Sequence, residues 1–220
     1  MGKSEETRSL IVATAMRLFT ENGYDRTTMR SIAAEAGVSV GNAYYYFSSK
    51  EQLIQGFYDE IARVHQTAAR ERMAGETGFA ERLEHVLLCW VDTAEPYHRF
   101  GTQFFVNAAD PESPLSPFSA DSAPARDATI ALWREVVENS DLKVDPELRE
   151  ELPELLWLFQ MGVVLFWVHD RSQQTKRTRM LVRRTVPLIA RLAGLSRLRV
   201  LRPITRELLS LIHDLAKKDS

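Results

Sequence analysis

The segment Thr28–Lys50 constrains this chain more than any other stretch of its 220 residues. It reads as two short helices joined by a tight turn. The Thr28 hydroxyl is placed to accept from an amide in the first turn of a helix. Ile32, Ala33 and Ala36 then form a small apolar stripe. Gly37 stands where a left-handed residue ends a helix, with Val38 behind it as an apolar anchor. Ser39 can cap a second helix, in which Ala43 and Phe47 are four apart and share a face that packs back on the first. Gly41, Asn42 and Tyr45 are left facing outward. The pattern is a helix-turn-helix, a motif whose second helix fits the major groove of DNA.

Composition limits how such a motif could work. Hydrophobic content of 45% and charged content of 26% are ordinary for a globular chain. The single cysteine, Cys89, excludes an intrachain disulfide framework and suits a reducing cytoplasm. No apolar stretch follows Met1–Glu6, so no secretory signal is expected. The longest nearly apolar run, Leu155–Val168, is shorter than the roughly 18 residues that suggest a membrane span. Net charge is −2, and residues 1–50 carry six basic side chains against five acidic ones. Binding to nucleic acid would therefore rest on local charge placement and on helix N-terminal amides rather than on bulk charge. Such a module gains from being used twice.

The motif also resembles, closely, the DNA-binding domain of TetR-family bacterial transcriptional regulators. The likeness runs over roughly Thr7–Leu53. It takes in Ala15, Leu18, Phe19, Gly23, Tyr24 and Thr28, then Ile32, Ala33, Ala36–Ser39, Gly41, Tyr44, Tyr46, Phe47 and Ser49–Leu53. It implies an all-α chain in which residues 1–50 form a three-helix DNA-binding domain. A long helix would join this to residues 51–220, a helical ligand-binding and dimerisation domain.

Periodicity along the chain is helical throughout, with no strand pattern. A first helix, about Glu5–Asn22, puts Ile11, Ala15, Leu18 and Phe19 on one face and ends at Gly23. Ser49 caps a long helix through Leu53, Phe57, Ile61 and Val64 towards Met73, which Gly75 and Gly78 break. Phe79–Ala94 is amphipathic, Pro96 opens a short helix with Phe100 and Phe105, and the three prolines of Asp110–Phe118 read as an extended surface loop. Further helices start near Ser122 and at Pro146, then run over Thr175–Ala193 and over 203–217. Leu155–Val168 is apolar on every side, so it must be buried all round. A chain this small has one interior to offer it; a second copy would supply the other. This places a two-fold, four-helix dimer interface over about 155–193, against the simpler reading of a buried central helix in a monomer. In the resemblance, dimers form through the penultimate and final long helices.

Candidate DNA contacts follow from the outward face. Tyr44 and Tyr45 can donate to phosphate and stack on sugar or thymine methyls, and Asn42 can read adenine. Thr27, Thr28 and Ser39 lie at helix N-termini, Gly41 leaves bare backbone, and Lys50 stands beside the third helix. Position 40, often basic in the family, is Val40 here, which exchanges a phosphate contact for an apolar touch. Tyr46 reads as packing.

The larger domain is rich in aromatics. Most are core, yet large flat side chains from different helices also leave apolar space. Trp90, Phe104, Trp133 and Trp157, with polar Gln103, Asn107 and Gln160, are candidate ligand-binding residues. The resemblance implies a small-molecule site in this domain. His85, Cys89 and Glu81 share a helix face but fall short of a convincing metal set, and a buried thiol is the plainer account of Cys89. His169 beside Asp170 is better read as a helix C-terminal contact than as a dyad. No nucleophile triad, phosphate loop or dinucleotide fingerprint is present, so no catalysis and no cofactor are expected.

The residues and the resemblance together imply a cytoplasmic, homodimeric repressor of a DNA operator that answers to a small-molecule effector, away from membranes. Two other classes stay open: a DNA-binding or partner-binding protein without an inducer, and a helical carrier or enzyme.

Overall fold

The computed structural model describes residues 3–196, without the side chains of Lys3, Gln103, Phe104, Val106 and Asn107; the helix expected over 203–217 lies outside it. Among the described residues there is no strand. The chain runs through α1 (Lys3–Asn22), α2 (Met29–Glu35), α3 (Val40–Tyr46), α4 (Lys50–Arg72) and α5 (Phe79–Ala94). After a 3-10 turn at Glu95–Tyr97 come α6 (His98–Ala109), α7 (Ala123–Glu138) and α8 (Pro146–His169). A second 3-10 turn, Gln173–Thr175, leads into α9 (Lys176–Leu195). The protein is all-α.

Contacts divide the chain into two compact units. The first gathers residues up to His65 with Thr93–Ala128; the second gathers Gln66–Asp92 with the residues from Thr129 onward. In the first, α1 buries Ile11, Ala15 and Phe19, α2 adds Ile32 and Ala33, α3 adds Ala43, Phe47 follows just past its end, and α4 adds Leu53, Ile54 and Phe57. Two further core residues come from far along the sequence, Phe100 of α6 and Leu115 of the proline-rich segment. Phe100 stacks on Phe19 with ring centroids 6.0 Å apart and meets Phe57 edge-on at 6.2 Å.

The proline-rich segment lies mostly at the surface, as its prolines suggest, but it is not extended. Ser116 N donates to Ser113 O and Ser119 N to Ser116 O, each at 3.0 Å, so the backbone closes in successive turns. The Gln55 amide donates to Pro114 O at 2.6 Å and to Ser122 Oγ at 3.2 Å, and the Tyr58 hydroxyl donates to Leu115 O at 3.3 Å. Proline removes backbone donors but leaves its carbonyl available, and Gln55 of α4 uses that acceptor at Pro114.

The second unit is built on Phe79, Leu83 and Leu87 of α5, Leu132, Trp133 and Val136 of α7, Leu156 and Val163 of α8, and Val182 and Val186 of α9. Pro153 and Pro187 lie inside α8 and α9, each removing one amide from the helical ladder. By length and composition α8 could reach across a membrane, with an 18-residue window of mean hydropathy 1.4. One face of it instead belongs to this packed core, through Leu152, Leu156, Trp157 and Val163. Leu158, Leu165 and Phe166 on the other side are exposed, as are Met180, Leu188, Leu192 and Leu195 of α9.

The reversal between α8 and α9 uses two residues at left-handed dihedrals, Gln174 (φ 54°) and Thr175 (φ 47°), the second strained because it is β-branched. Asp170 holds this turn. Its carboxylate accepts from Ser172 N at 2.9 Å, Ser172 Oγ at 2.7 Å, Thr178 N at 2.9 Å and Thr178 Oγ1 at 2.8 Å.

Candidate nucleic-acid interface

At seven residues each, α2 and α3 are too short to be stable alone, so caps and core must hold them. Thr28 Oγ1 accepts from Ser31 N at 3.1 Å while Ser31 Oγ accepts from Thr28 N at 3.0 Å, a reciprocal capping box. Gly37, at φ +67°, lets the chain leave α2 in the left-handed region, and Val38 N returns to Ala33 O at 3.0 Å. Ser39 then caps α3, its hydroxyl accepting from Asn42 N at 3.1 Å. Ala43 and Phe47 are buried beneath α3, and the Arg8 guanidinium lies 5.1 Å from the centre of the Phe47 ring.

With its inner face committed, α3 presents Val40, Gly41, Asn42, Tyr44 and Tyr45 to solvent. Tyr45 is 81% exposed and Tyr44 50%, a large outlay of aromatic surface for a helix of two turns. Tyr46 lies half-buried, with its hydroxyl 3.1 Å from Ser4 Oγ and its ring edge-on to Tyr45 at 5.3 Å. Thr28 and Ser39 are exposed at the two helix N-termini.

Two expected contacts look different in place. Thr27 is only 2% exposed, and its hydroxyl donates to Gly23 O at 2.9 Å. Its side chain closes the α1–α2 turn and is absent from the outer face. Lys50 is half-buried: its ammonium donates to Tyr24 O at 2.8 Å and lies 4.1 Å from the centre of the Tyr24 ring. The Tyr24 hydroxyl donates in turn to Glu51 Oε1 at 2.8 Å. Burial first, and then the Glu51 hydrogen bond, push the Tyr24 phenol far above its ordinary pKa, so it stays a donor. Burial acts to raise the Glu51 carboxyl, but hydrogen bonds from its own amide, Ser49 and Tyr24 outweigh it and hold the group below the usual range.

Sequence reasoning passed over this latch. Its one visible trace was that Tyr24 and the Ser49–Leu53 stretch both fall inside the family likeness. It also passed over Arg30, exposed in the first turn of α2.

The candidate ligand residues of the second unit are scattered among different roles. Trp133 and Gln160 are brought together in the core, where the indole Nε1 donates to Oε1 at 2.9 Å. Trp157 is buried, and Trp90 is half-buried edge-on to Trp167 at 5.3 Å. Gln103, Phe104 and Asn107 lie on α6, in the first unit, with their side chains outside the described residues. A half-open cleft of about 340 Å³ lies elsewhere, along Phe19–Arg26 with Arg99 and Phe100. Cys89 is buried, and no group of three metal-ligating side chains occurs among the described residues.

A capped two-helix turn on a three-helix core, with aromatic and polar side chains on the outer helix, defines a helix-turn-helix protein. Residues 11–56 match the model of bacterial regulatory proteins of the tetR family, and residues 82–211 match that of the tetracyclin repressor-like C-terminal domain. The chain belongs to the TetR family of bacterial regulatory proteins.

Among curated relatives, the HTH-type transcriptional regulator TtgR of Pseudomonas putida is 38% identical over 68 residues, 31% of this chain and 32% of that protein. The chain thus spans about a third of the length of the first curated relatives it matches. Solved structures agree over nearly the whole fold. A TetR transcriptional regulator from Nitrosomonas europaea superposes with a TM-score of 0.64 at 20% identity, covering 82% of this chain and 96% of the other. Thermus thermophilus FadR, a TetR-family repressor in complex with lauroyl-CoA, gives 0.59 at 20%, covering 86% and 94%. At these identities the structural likeness speaks for the fold alone.

Proposed function

We propose that this chain is a cytoplasmic, homodimeric transcription regulator that represses from a pseudo-palindromic DNA operator and is released by a small, largely apolar ligand. The observation that carries the DNA half is the outer face of α3: Asn42, Tyr44 and Tyr45 exposed on a helix whose inner face is locked into a core. Tyr44 and Tyr45 bond phosphate and stack on sugar or thymine methyls, Asn42 reads a base edge, and Val40 touches a methyl group. Gly41 allows close backbone approach. Thr28, Ser39, Lys50 and Arg30 hold the phosphates flanking the groove.

Residues 1–50 form the reader in this account, and 51–220 bind the effector and a second copy. The exposed leucines of α8 and α9 support a dimer over about 155–193, since large apolar side chains gathered on two adjacent helices mark an interaction surface. Two α3 helices would then enter successive major grooves about 34–36 Å apart. In this reading Trp90, Trp133, Trp157 and Gln160 are the effector-binding candidates of the second unit, and Gln103, Phe104 and Asn107 of α6 are separate candidates in the first. The lauroyl-CoA held by Thermus thermophilus FadR makes acyl chains the first compounds to screen. Coupling of about 1–3 kcal/mol, common in allosteric systems, would shift operator affinity several-fold to a hundred-fold.

The test is selection of duplexes from a randomised library by the purified protein, followed by footprinting. Two protected half-sites one helical turn apart support the reading; binding without sequence preference overturns it. A panel of acyl chains and other apolar compounds that bind the protein without altering operator affinity would remove the effector half alone.

A further inference from the structure

A lysine beside a helix N-terminus is useful to DNA only if its ammonium is presented rather than free to wander, because a loose side chain must give up its rotamers on binding. Lys50 is not loose. One of its three N–H bonds goes to Tyr24 O at 2.8 Å, and the Tyr24 ring lies beneath the ammonium at 4.1 Å. The side chain is half-buried, so part of it stays open to solvent. The same tyrosine engages the adjacent residue, donating its hydroxyl to Glu51 Oε1 at 2.8 Å. A carboxylate next to the phosphate-facing lysine would repel DNA, and this hydrogen bond ties it back to the protein. Tyr24 is itself pinned, its ring 5.1 Å from that of Phe19 in the core.

We propose that Tyr24 is a positioning residue for DNA binding: its carbonyl and ring aim the Lys50 ammonium at a phosphate, and its hydroxyl holds the Glu51 carboxylate away from the same phosphate. The inference rests on the proposed role of α3 and the α4 N-terminus in operator binding. It adds that one half-buried tyrosine sets the electrostatics of the contact from beside it.

The experiment uses the full chain and a fluorescent duplex selected by the wild-type protein from a randomised library. Operator Kd is measured between low and moderate KCl for wild type, Lys50→Gln, Tyr24→Phe, Glu51→Gln and the Tyr24→Phe/Glu51→Gln double variant, alongside melting temperature. Loss of one phosphate contact in Lys50→Gln lowers the slope of log Kd against log salt by about one. Tyr24→Phe, which keeps the carbonyl and ring but removes the hydroxyl's hold on Glu51, weakens binding about three- to tenfold at low salt, as a less restrained like charge would. Glu51→Gln then restores most of that loss in the Tyr24→Phe background and gains distinctly less in the wild type.

Equal gains from Glu51→Gln in both backgrounds overturn the proposal. So does a Tyr24→Phe protein that binds as well as wild type, or one weakened only in proportion to its lost stability with no rescue. These outcomes leave the operator reading intact. If the wild type selects no duplex, the operator reading fails and takes this inference with it.

Discussion

Trp133 and Gln160 are joined by a hydrogen bond from indole Nε1 to side-chain Oε1 at 2.9 Å, with both residues buried in the core of the second unit. The bond fixes α7 against α8 at the one polar residue on the inward face of α8's apolar half. Gln160→Leu keeps the volume roughly constant but strands the indole N–H, so a loss of about 1–3 kcal/mol is expected in urea unfolding. Trp133→Phe added to Gln160→Leu removes the stranded donor. The double variant should therefore lose less stability than the two single changes together, and strict additivity would show that the bond is not an energetic unit.

Asp170 predicts an acid-sensitive joint between α8 and α9. Burial works to raise its pKa, but the hydrogen bonds from Ser172 and Thr178 prevail and bring it down from 3.8 to about 2. Because folding lowers this pKa, the contribution is complete above about pH 4 and is lost as pH falls towards about 2. Asp170→Asn should cost on the order of 1–2 kcal/mol at neutral pH, allowing for solvent screening. Urea midpoints for wild type and variant should converge between pH 4 and 2, whereas a constant gap across that window would show that the ionised carboxylate is not what holds the turn.

Gly41 separates stability from binding. It is exposed in the first turn of α3, and a Cβ built there meets nothing within 4 Å. Gly41→Ala should thus stabilise the free protein by up to about 0.5–1 kcal/mol through reduced chain entropy. If α3 approaches DNA by this backbone, the same change weakens operator affinity. A variant that melts higher and binds as tightly as wild type would exclude close approach at Gly41.

Tyr44→Ala with Tyr45→Ala removes the most exposed aromatic surface of α3 while leaving Ala43 and Phe47 in the core. Sequence-specific binding should be lost with no change in oligomeric mass by light scattering. A change in mass would mean these tyrosines serve assembly instead.

Leu192, 68% exposed on α9, tests the dimer from the other side. Leu188→Glu with Leu192→Glu puts two charges into the proposed interface without touching the buried Val182 or Val186. Sedimentation should show a monomer that retains its helical content. Persistence of a dimer would place the interface elsewhere.

How legible was this molecule in its sequence? The helix-turn-helix was readable residue by residue because its signals are local: Thr28 and Ser39 cap within three residues, and Gly37 acts on its own dihedrals. The limits of α5 and the start of α8 at Pro146 were readable for the same reason. Thr27 was misjudged because a threonine at a turn looks identical whether its hydroxyl faces solvent or Gly23 O. Asp110–Phe118 was wrongly read as extended because prolines announce only what the backbone cannot donate, and nothing local reveals that Gln55 and Tyr58 donate to its carbonyls.

The sequence by itself determined an all-α chain with a capped two-helix reader and an apolar helix downstream, since periodicity, caps and a left-handed glycine act within a few residues. Only the tertiary structure decided that Phe100 and Leu115 complete the reader's core, that α8 buries one stripe and exposes another, and that Tyr24 grips Lys50 and Glu51. Those are partnerships across 26 to more than 80 residues of chain. They depend on which surfaces meet when apolar area leaves water, and no local pattern encodes that choice.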